Sequence, residues 1–487
     1  MPTIEFEALD YRADQTFAPA HYRYDGDEQA GWRIDRDGVR LLELGAGFRL
    51  LRVVSCGVCS TDLARHFLPF PLPQVIGHEV VAKSENGTRY VVEINASHTA
   101  RGVSDECAFC RHGLPTHCPS RVTLGIHDLP GGFGSYILAP LAACIEVPAS
   151  VPDSAAVLVE PFAAALHGVQ MVAPKTGERI AVLGPRRLGM LVLAALAGVQ
   201  RRMRAAGSDF AVAALVRDPA LVPLAREFGA TEVHEVAGDA RPAAASFDVV
   251  IDTTGNPDGF DLAVHLARRE VHLKSTHGRP ASGLRHLTEL VVDELAIARF
   301  PFTEPKPGAA SWDRLATGAR PRIAWLASTM PPAWLMARAE VRRGSAAELA
   351  AQYDGAVDGL PRADVAVVDS AAGIDAAIRP RPSREDALIR PRGEILVLPS
   401  SVTYGSALLS AIVARDLRLS SSRCGEFGPA LDLIANDSEL AKIGERLVTH
   451  RFAKDDLACA FATARSRGCI KAVVMHDTVV KPGGERL

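Results

Sequence analysis

The sequence predicts an α/β protein with two parts of different character. Residues 1–150 contain short apolar segments separated by glycine and proline, which indicates an irregular, mostly β region. From about residue 153, buried-strand runs alternate with helical segments, which is typical of a parallel, doubly wound sheet. A chain of 487 residues is long enough for two such domains, each with its own core.

Each predicted element follows from a local pattern. In the first region, short β-rich runs predict strands at 53–55, 80–81, 90–94, 136–138 and 143–147. In the second region, the alternation predicts strands at 179–184, 210–216, 247–252 and 270–275 and helices at 155–172, 188–200, 221–228 and 260–266. After a stretch rich in proline, glycine and alanine at about 303–330, strands are predicted at 322–326, 365–369, 394–398 and 471–475.

The second region contains a possible internal repeat. The segments 247–252, 269–275 and 290–295 resemble the later segments 363–369, 393–400 and 413–417. One interpretation is a partial duplication. The other is that buried strands converge on the same apolar composition.

Composition excludes several classes of function. The net charge is −3 and no basic stripe is present, so neither a nucleic-acid partner nor a membrane-surface role is expected. We expect no signal peptide and no membrane span, because no long uncharged apolar run occurs. Five of the nine cysteines precede residue 120, which indicates metal binding in a reducing compartment, the cytoplasm, rather than disulfides.

Two motifs predict a catalytic metal site. Cys59 is followed by Ser60-Thr61-Asp62, and Gly77-His78-Glu79 comes less than twenty residues later. Thiolate, imidazole and carboxylate are ligand types that zinc prefers, and three protein ligands leave a position for water or substrate. The alternative is two unrelated turns with a buried histidine.

These motifs together resemble those of the medium-chain, zinc-dependent alcohol and polyol dehydrogenases. The resemblance implies a GroES-like, β-rich catalytic domain and a Rossmann domain with a doubly wound parallel sheet. It also implies that Cys59, His78 and Glu79 are zinc ligands. In that family Thr61 would pass the substrate proton towards solvent, and Asp62 would orient the site.

A third motif, Glu160-Pro161, resembles the signature of the polyol, threonine and glucose dehydrogenase branch. The resemblance implies that Glu160 reaches the zinc directly or through water. The alternative is a carboxylate favoured by the helix dipole, with Pro161 in the first turn. We favour the functional role.

A second metal site is predicted at Cys107, Cys110 and Cys118. Members of the family often hold a structural zinc through four cysteines at this spacing, but Ser104 stands in the first position, and serine is a poor zinc ligand. The site has either lost its metal or recruited another ligand. The candidates for that ligand are Asp105, His112 and His117.

The loop after the strand at 179–184 resembles a dinucleotide-binding fingerprint. Gly184 and Gly189 match its first and third glycines, and Arg186 replaces the second. We expect Gly184, Arg186, Leu188 and Gly189 to contact the cofactor, with Arg186 either obstructing or pairing with phosphate.

Arg217 follows the next strand, where NAD-specific folds usually carry an acid. A cation there favours the 2′-phosphate of NADP over NAD. The alternative is a surface arginine at a turn.

The predicted organisation is a zinc domain at 1–165, completed by 428–480, and a cofactor domain at 166–427. The cofactor domain contains an extra segment at about 303–411 that the resemblance does not cover. A substrate lid, an oligomer contact and an inert duplicate are all open for this segment.

The predicted function is a zinc-dependent oxidoreductase that transfers a hydride between an alcohol or polyol, or the matching carbonyl, and NAD(P). The partners expected are a small-molecule substrate and further copies of the chain in a dimer or tetramer. Two alternatives remain open: a catalytically inactive or regulatory protein that keeps the fold and binds nucleotide, and a zinc-free reductase of the same fold.

Overall fold

The protein was described from a computed structural model. The structure describes residues 3–102, 107–237, 241–275, 278–301, 320–353, 360, 362–381, 387–399, 406–476 and 485–486. The chain divides into two compact units, Met1–Ala164 with Cys424–Leu487 and Ala165–Arg423. The boundaries predicted from the sequence were residues 165 and 427.

The secondary structure of the described residues alternates as follows. The strands are β1 Thr3–Tyr11, β2 Phe17–Asp27, β3 Gly31–Arg36, β4 Val39–Leu44, β5 Phe48–Gly57, β6 Glu79–Lys83, β7 Arg89–Val92, β8 Asn95–Ala96, β9 Val122–Thr123, β10 Tyr136–Pro140, β11 Cys144–Glu146, β12 Arg179–Leu183, β13 Ala211–Val216, β14 Glu232–Glu235, β15 Phe247–Asp252, β16 Ala267–Leu273, β17 Ala296–Arg299, β18 Arg322–Trp325, β19 Glu340–Arg343, β20 Ala363–Val368, β21 Ile389–Val397, β22 Arg418–Ser421, β23 Val448–Ala453, β24 Lys471–Met475 and β25 Glu485–Arg486.

The helices are α1 Ser60–Leu63, α2 His98–Arg101, α3 Ala108–Arg111, α4 Asp153–Ala156, α5 Val159–Val172, α6 Arg187–Ala205, α7 Val222–Glu227, α8 Pro257–Leu266, α9 Leu287–Val292, α10 Ala333–Arg338, α11 Ala346–Tyr353, α12 Ala371–Ile378, α13 Ala407–Arg415, α14 Phe427–Ala435, α15 Ile443–Leu447 and α16 Leu457–Arg465. Among the described helices, none combines the length and the apolar character that crossing a membrane requires.

The first unit is built on two main sheets, one antiparallel and one mixed, in which only the described pair β23 and β24 is parallel. Strands β1–β4 form one sheet in sequential order. Along β2, Ala20, Tyr22 and Tyr24 are buried while the residues between them are not, the alternation of a sheet with one buried face. The second sheet runs β11-β7-β6-β5-β24-β23-β25, with β10 also paired to β5. Because β24 pairs with β5, residues near the C-terminus complete the sheet that carries the zinc motifs.

The second unit is built on one sheet of eleven strands in the order β14-β13-β12-β15-β16-β22-β17-β21-β20-β18-β19. Its strands are nearly continuous apolar runs, as in 180–183, where every side chain is buried. Such runs are typical of parallel strands covered by helices on both faces. The predicted α/β class, a β-rich domain with a doubly wound sheet, is confirmed.

The topology fixes where a ligand of the second unit would bind. Strand β12 lies between β13 and β15, and the chain runs from β12 through α6 to β13 on one side before it returns to β15 on the other. The crevice at the carboxyl ends of the strands next to such a switch point is the usual ligand site of this architecture. The Gly184 loop lies at that end of β12.

Two helical glycines provide a stability test within the first unit. A Cβ atom at Gly444 in α15 would lie 2.0 Å from the Ser154 carbonyl oxygen, whereas one at Gly428 in α14 has nothing within 4 Å. We expect Gly444→Ala to destabilise the first unit by about 1–3 kcal/mol through overpacking. Gly428→Ala should leave stability unchanged or raise it by about 0.5 kcal/mol, because alanine loses less backbone entropy in a helix. Calorimetric unfolding of both variants measures this, and equal effects would contradict the packing of α15 against α4.

Candidate active site

The turn after β5 presents Cys59. Cys59 is the residue before α1, and its backbone N–H donates to Asp62 Oδ2 at 2.8 Å. The Asp62 side chain thereby closes the first turn of α1, where a carboxylate is favoured by the orphan N–H groups. Asp62 is 1% exposed, while Cys59 is partly exposed. The motif therefore fixes a buried carboxylate beside a more accessible thiol.

His78 lies against this turn. Its Nδ1 is 3.3 Å from Asp62 Oδ1, yet neither atom has a hydrogen-bond partner in the described structure. Burial by itself lowers the pKa of His78, but the negative charges of Asp62 and Cys59 outweigh it and hold the pKa well above the usual range. Buried polar atoms with unmet bonding capacity in an anionic setting favour a bound cation, either a proton or a metal ion.

Glu79 begins β6 and is engaged elsewhere. Its Oε2 forms a buried ion pair with Lys471 Nζ at the start of β24. Lys471 Nζ also donates to the Val58 carbonyl oxygen at 3.1 Å. A Cβ atom on Gly57 would lie 2.0 Å from Glu79 Oε2, so only glycine leaves room for this pair. Lys471 was not among the site residues predicted from the sequence, because no sequence pattern near it links it to β6.

Glu160 completes the cluster from the start of α5. Burial raises the pKa of Glu160 to about 7, an effect that the positive charge of His78 opposes and the negative charge of Glu79 reinforces. The Glu160 carboxyl is therefore near enough to His78, Glu79 and Asp62 to interact with their charges. Cys59, His78 and Glu160 are the donor types of a zinc site with an open position.

Thr61 lies in α1 between Ser60 and Asp62 and is partly exposed. Its position beside the cluster, with access to solvent, is compatible with the predicted proton relay.

A second cluster forms at α2, α3 and the turn before β9. The ligand atoms of His98, Cys107, Cys110 and Cys118 all lie within 4.8 Å of one another. His98 Nδ1 is 3.1 Å from Cys118 Sγ, and Cys107 Sγ is 3.8 Å from the same sulfur. Three thiols and one imidazole form a common structural zinc set.

His98 was not among the ligands predicted from the sequence for this second metal site. Ser104 and Asp105 lie outside the described residues. Of the other two candidates, His112 Nδ1 contacts the Ala108 carbonyl oxygen and His117 Nδ1 contacts Thr116 Oγ1. His98 follows the N-cap Ser97 of α2 and stands outside the spacing of the cysteine motif, so only the folded arrangement brings it to the thiols.

The glycine loop of the second unit packs against the end of β15. Thr253 Oγ1 donates to the carbonyl oxygens of Leu183 and Gly184, at 2.9 and 3.1 Å. Gly184 has φ +77°, and a Cβ atom there would lie 2.7 Å from Thr254 Cγ2. At Gly189 the nearest atom to a Cβ would be Thr253 Oγ1, 2.6 Å away. Both glycines are required for this close approach.

The other predicted cofactor residues are spread around this loop. Arg186 and Leu188, at the start of α6, are partly buried, and Arg217, just after β13, is exposed. Asp252 was not predicted: its carboxylate accepts from the N–H and Oγ1 of Thr254, at 2.8 and 2.6 Å, and burial raises its pKa to about 6. Asp252 therefore fixes Thr254, which packs against Gly184 of the loop.

Comparison with known proteins agrees with this architecture. Residues 45–149 match the model of the alcohol dehydrogenase GroES-like domain. Residues 45–149 are thus identified as a GroES-like domain of the alcohol dehydrogenase type. The resemblance seen in the zinc motifs is thereby confirmed.

The chain is similar to curated proteins that are named as dehydrogenases of different alcohols. It is 27% identical over 286 residues to an L-threonine 3-dehydrogenase of Chelativorans sp. (strain BNC1), covering 50% of this chain and 79% of the relative. It is 30% identical over 238 residues to D-arabinitol dehydrogenase 1 of Uromyces fabae, covering 45% of this chain and 65% of the relative. The chain therefore spans less than two thirds of the arabinitol enzyme.

Solved structures share the fold of the chain. L-idonate 5-dehydrogenase of Escherichia coli aligns with a TM-score of 0.56 at 14% identity, over 97% of this chain and 99% of the other. A zinc-binding dehydrogenase of Sinorhizobium meliloti 1021, bound to NADP, aligns with a TM-score of 0.52 at 18% identity, over 97% and 99%.

The second cluster gives a direct test of metal content. We expect His98→Gln to lower bound zinc by about one equivalent per chain and to lower the unfolding temperature of the first unit, because three thiols alone leave the coordination incomplete. His98→Cys should retain the metal, since it restores four ligands. His112→Gln is the matched control. Elemental analysis of the three purified variants measures this, and unchanged zinc in His98→Gln would contradict the assignment.

Proposed function

We propose that this protein is a zinc-dependent oxidoreductase that oxidises a small alcohol or polyol, or reduces the matching carbonyl, with NAD(P). The observation that carries the proposal is the contact of His78 Nδ1 with Asp62 Oδ1, 3.3 Å apart, near the charges of Cys59 and Glu160. Their surroundings are anionic, and the imidazole has an unused nitrogen. A site of this chemistry favours a divalent cation.

Cys59, His78 and Glu160 are the ligands that we propose for the catalytic zinc. Glu79 stays the alternative to Glu160, but its carboxylate is paired with Lys471. The raised pKa of Glu160, about 7, also fits a ligand whose charge needs a cation to be stable when buried. Asp62 is proposed to orient His78 and the Cys59 turn.

When bound, zinc would polarise the alcohol oxygen and make its proton more acidic. The substrate would lose its proton from the hydroxyl oxygen and a hydride from the carbon that bears this oxygen, so that a C=O bond forms, and the nicotinamide cofactor would take up the hydride. Thr61 Oγ1 is proposed to accept the proton and pass it to water, because Thr61 stands beside the site and reaches solvent.

The cofactor is proposed to lie along the Gly184 loop, with Arg186, Leu188 and Gly189 in contact with it. The pyrophosphate would approach the start of α6, where free N–H groups favour anions. Arg217 is proposed to pair with a 2′-phosphate, which favours NADP. The S. meliloti dehydrogenase that shares the fold was solved with NADP bound.

The substrate class and the setting follow from further observations. The relatives named above are dehydrogenases of L-threonine, D-arabinitol and L-idonate, so a small, hydrophilic alcohol is proposed. No disulfide joins any of the nine cysteines, all of which are described, and four metal-ligand side chains meet at His98, which suits a reducing compartment such as the cytoplasm. Assembly into a dimer or tetramer stays a prediction.

Loss of the catalytic zinc should abolish activity. We expect Cys59→Ser to lower kcat by at least about 100-fold in an assay of alcohols and polyols with both cofactors, because a weaker ligand loosens the metal. Cys459→Ser, a partly exposed cysteine in α16, is the matched control and should keep full activity. Chelator treatment of the unaltered protein should reproduce the loss, and added zinc should reverse it. Activity that is indifferent to both treatments would exclude the proposal.

Cofactor preference should depend on Arg217. We expect Arg217→Ala to weaken NADPH binding by about 10–100-fold, since a charge-assisted hydrogen bond contributes about 1.5–3 kcal/mol. NADH affinity should change little. Arg226→Ala, an exposed arginine of α7, is the control. Titration followed by nicotinamide fluorescence gives both dissociation constants, and equal losses for the two cofactors would contradict recognition of the 2′-phosphate.

A further inference from the structure

The eleven-stranded sheet contains the same strand order twice. Read inward from one side, after the edge strand β14, which the repeat does not include, β13, β12, β15, β16 and β22 form a first half. Read inward from the other side, β19, β18, β20, β21 and β17 form a second half with the equivalent order. Within each half all neighbouring strands are parallel, and the halves meet where β17 pairs antiparallel with β22.

Side-chain contacts repeat between the halves. Asp248 Oδ2, in β15, accepts from the backbone N–H of Arg179 at 2.9 Å. Asp364 Oδ2, at the equivalent place in β20, accepts from the backbone N–H of Arg322 at 2.7 Å. Each aspartate thus ties two neighbouring strands at equivalent places, β15 to β12 in the first half and β20 to β18 in the second. A shared composition of buried strands does not account for a repeated polar contact, so these contacts favour duplication over convergence.

The join between the halves has the geometry of a two-fold axis. Leu419 follows the residue of β22 that pairs with Glu270, and Ile297 follows the residue of β17 that pairs with Glu394. Glu270 and Glu394 hold equivalent places in β16 and β21, so Leu419 and Ile297 are equivalent too. They lie directly opposite each other. Equivalent residues that pair with each other are the mark of an isologous contact.

The backbone conformation just before the two central strands, β17 and β22, is also repeated. Glu294 and Asp416 each precede the central strand of their segment by two residues, and both adopt left-handed backbone conformations, with φ +52° and +58°. Such conformations are uncommon outside glycine, so their recurrence at equivalent positions is specific.

The central strands are exchanged between the halves. β17 follows β16 in sequence but lies in the second half, and β22 follows β21 but lies in the first. The helices that precede these strands, α9 before β17 and α13 before β22, are exchanged in the same way. Arg415 of α13 donates to the Val264 carbonyl oxygen in α8 of the first half, and Arg379 of the second half donates to Glu289 of α9 at 3.1 Å. This is the arrangement of a domain-swapped pair, formed here by one chain.

Among its described residues, the second half differs from the first at the place that corresponds to the Gly184 loop. Residues 326–332 after β18 contain no glycine, and α10 has six residues where α6 has nineteen. The Asp369 carboxylate accepts from the N–H and Oγ of Ser328 in this loop, at 2.8 and 2.7 Å. The negative charge of Asp369 in this loop, which corresponds to the Gly184 loop of the first half, would repel a phosphate group.

We propose that strands β17–β21 are a second, nucleotide-free copy of the cofactor fold that acts as a built-in partner for the first half. It fills, within the same chain, the sheet edge at β22 that a second molecule would otherwise pair with. An unpaired edge strand is a template for association, and here each half covers the edge of the other. Any assembly of several chains must then use other surfaces. This proposal does not rest on the catalytic function.

A cross-link at the axis tests the proposal. The variant with both Ile297→Cys and Leu419→Cys places two thiols on directly opposed strands, about 4.5–5.5 Å apart at Cβ. After mild oxidation we expect a disulfide within one chain, so that the protein runs at the mass of one chain on non-reducing gels and peptide mapping finds 297 joined to 419. The unaltered protein and the two single variants are the controls for the native cysteines. A 297–419 link that joins two chains would overturn the proposal.

Two measurements on the unaltered protein keep the proposal testable if the double variant does not fold. Hydrogen exchange of the β17 and β22 amides should be equally slow at protein concentrations 100-fold apart, because the pairing is intramolecular; loss of protection on dilution would overturn it. Saturating NADPH should occupy at most one site per chain in calorimetric titration. Two sites per chain would overturn the assignment of a nucleotide-free second half.

Discussion

Compensation of buried negative charge is the constraint on which the first unit depends. Asp62, Glu79 and Glu160 bring three carboxyl groups to one region next to the Cys59 thiol, and an unpaired buried charge is costly. Lys471 neutralises Glu79 and stays charged, because burial alone would lower its pKa but Glu79 and Cys59 raise it. The remaining negative charge is neutralised by a proton on His78 or Glu160, or by a metal ion. The buried charges alone therefore call for a cation here, whatever family the chain resembles.

The same ion pair explains why the end of the chain belongs to the first unit. Lys471 opens β24, which pairs with β5, and its ammonium group reaches across to the first residue of β6. Removing one partner of a buried pair typically costs about 3–5 kcal/mol. Gly57 leaves the space that the pair occupies. The C-terminal segment therefore supports the sheet from which both zinc motifs emerge.

The sequence was sufficient wherever the signal was local. Buried parallel strands such as 180–183 and 247–252 are continuous apolar runs, and the metal motifs are short and ordered, so the fold class and the residues near Cys59 could be predicted. His98, Lys471 and Asp252 could not, because each acts through a partner far away in sequence. The pairing of β17 with β22 is likewise non-local: the repeat was visible in the sequence, but its two interpretations were equally open until the register placed Ile297 opposite Leu419.

The exchange of the central strands has a consequence for synthesis on the ribosome. The first half lacks its last strand until residue 421 has emerged, about 150 residues after β16 ends. At about 5–20 residues per second this takes roughly 7–30 s. During that interval the edge of β16 is open, and β17, which emerges first, is available to occupy the place that β22 takes in the native sheet. The nascent chain must therefore either leave that edge uncovered or later displace β17 from it, which makes this junction the point of greatest exposure to chaperones and to mispairing.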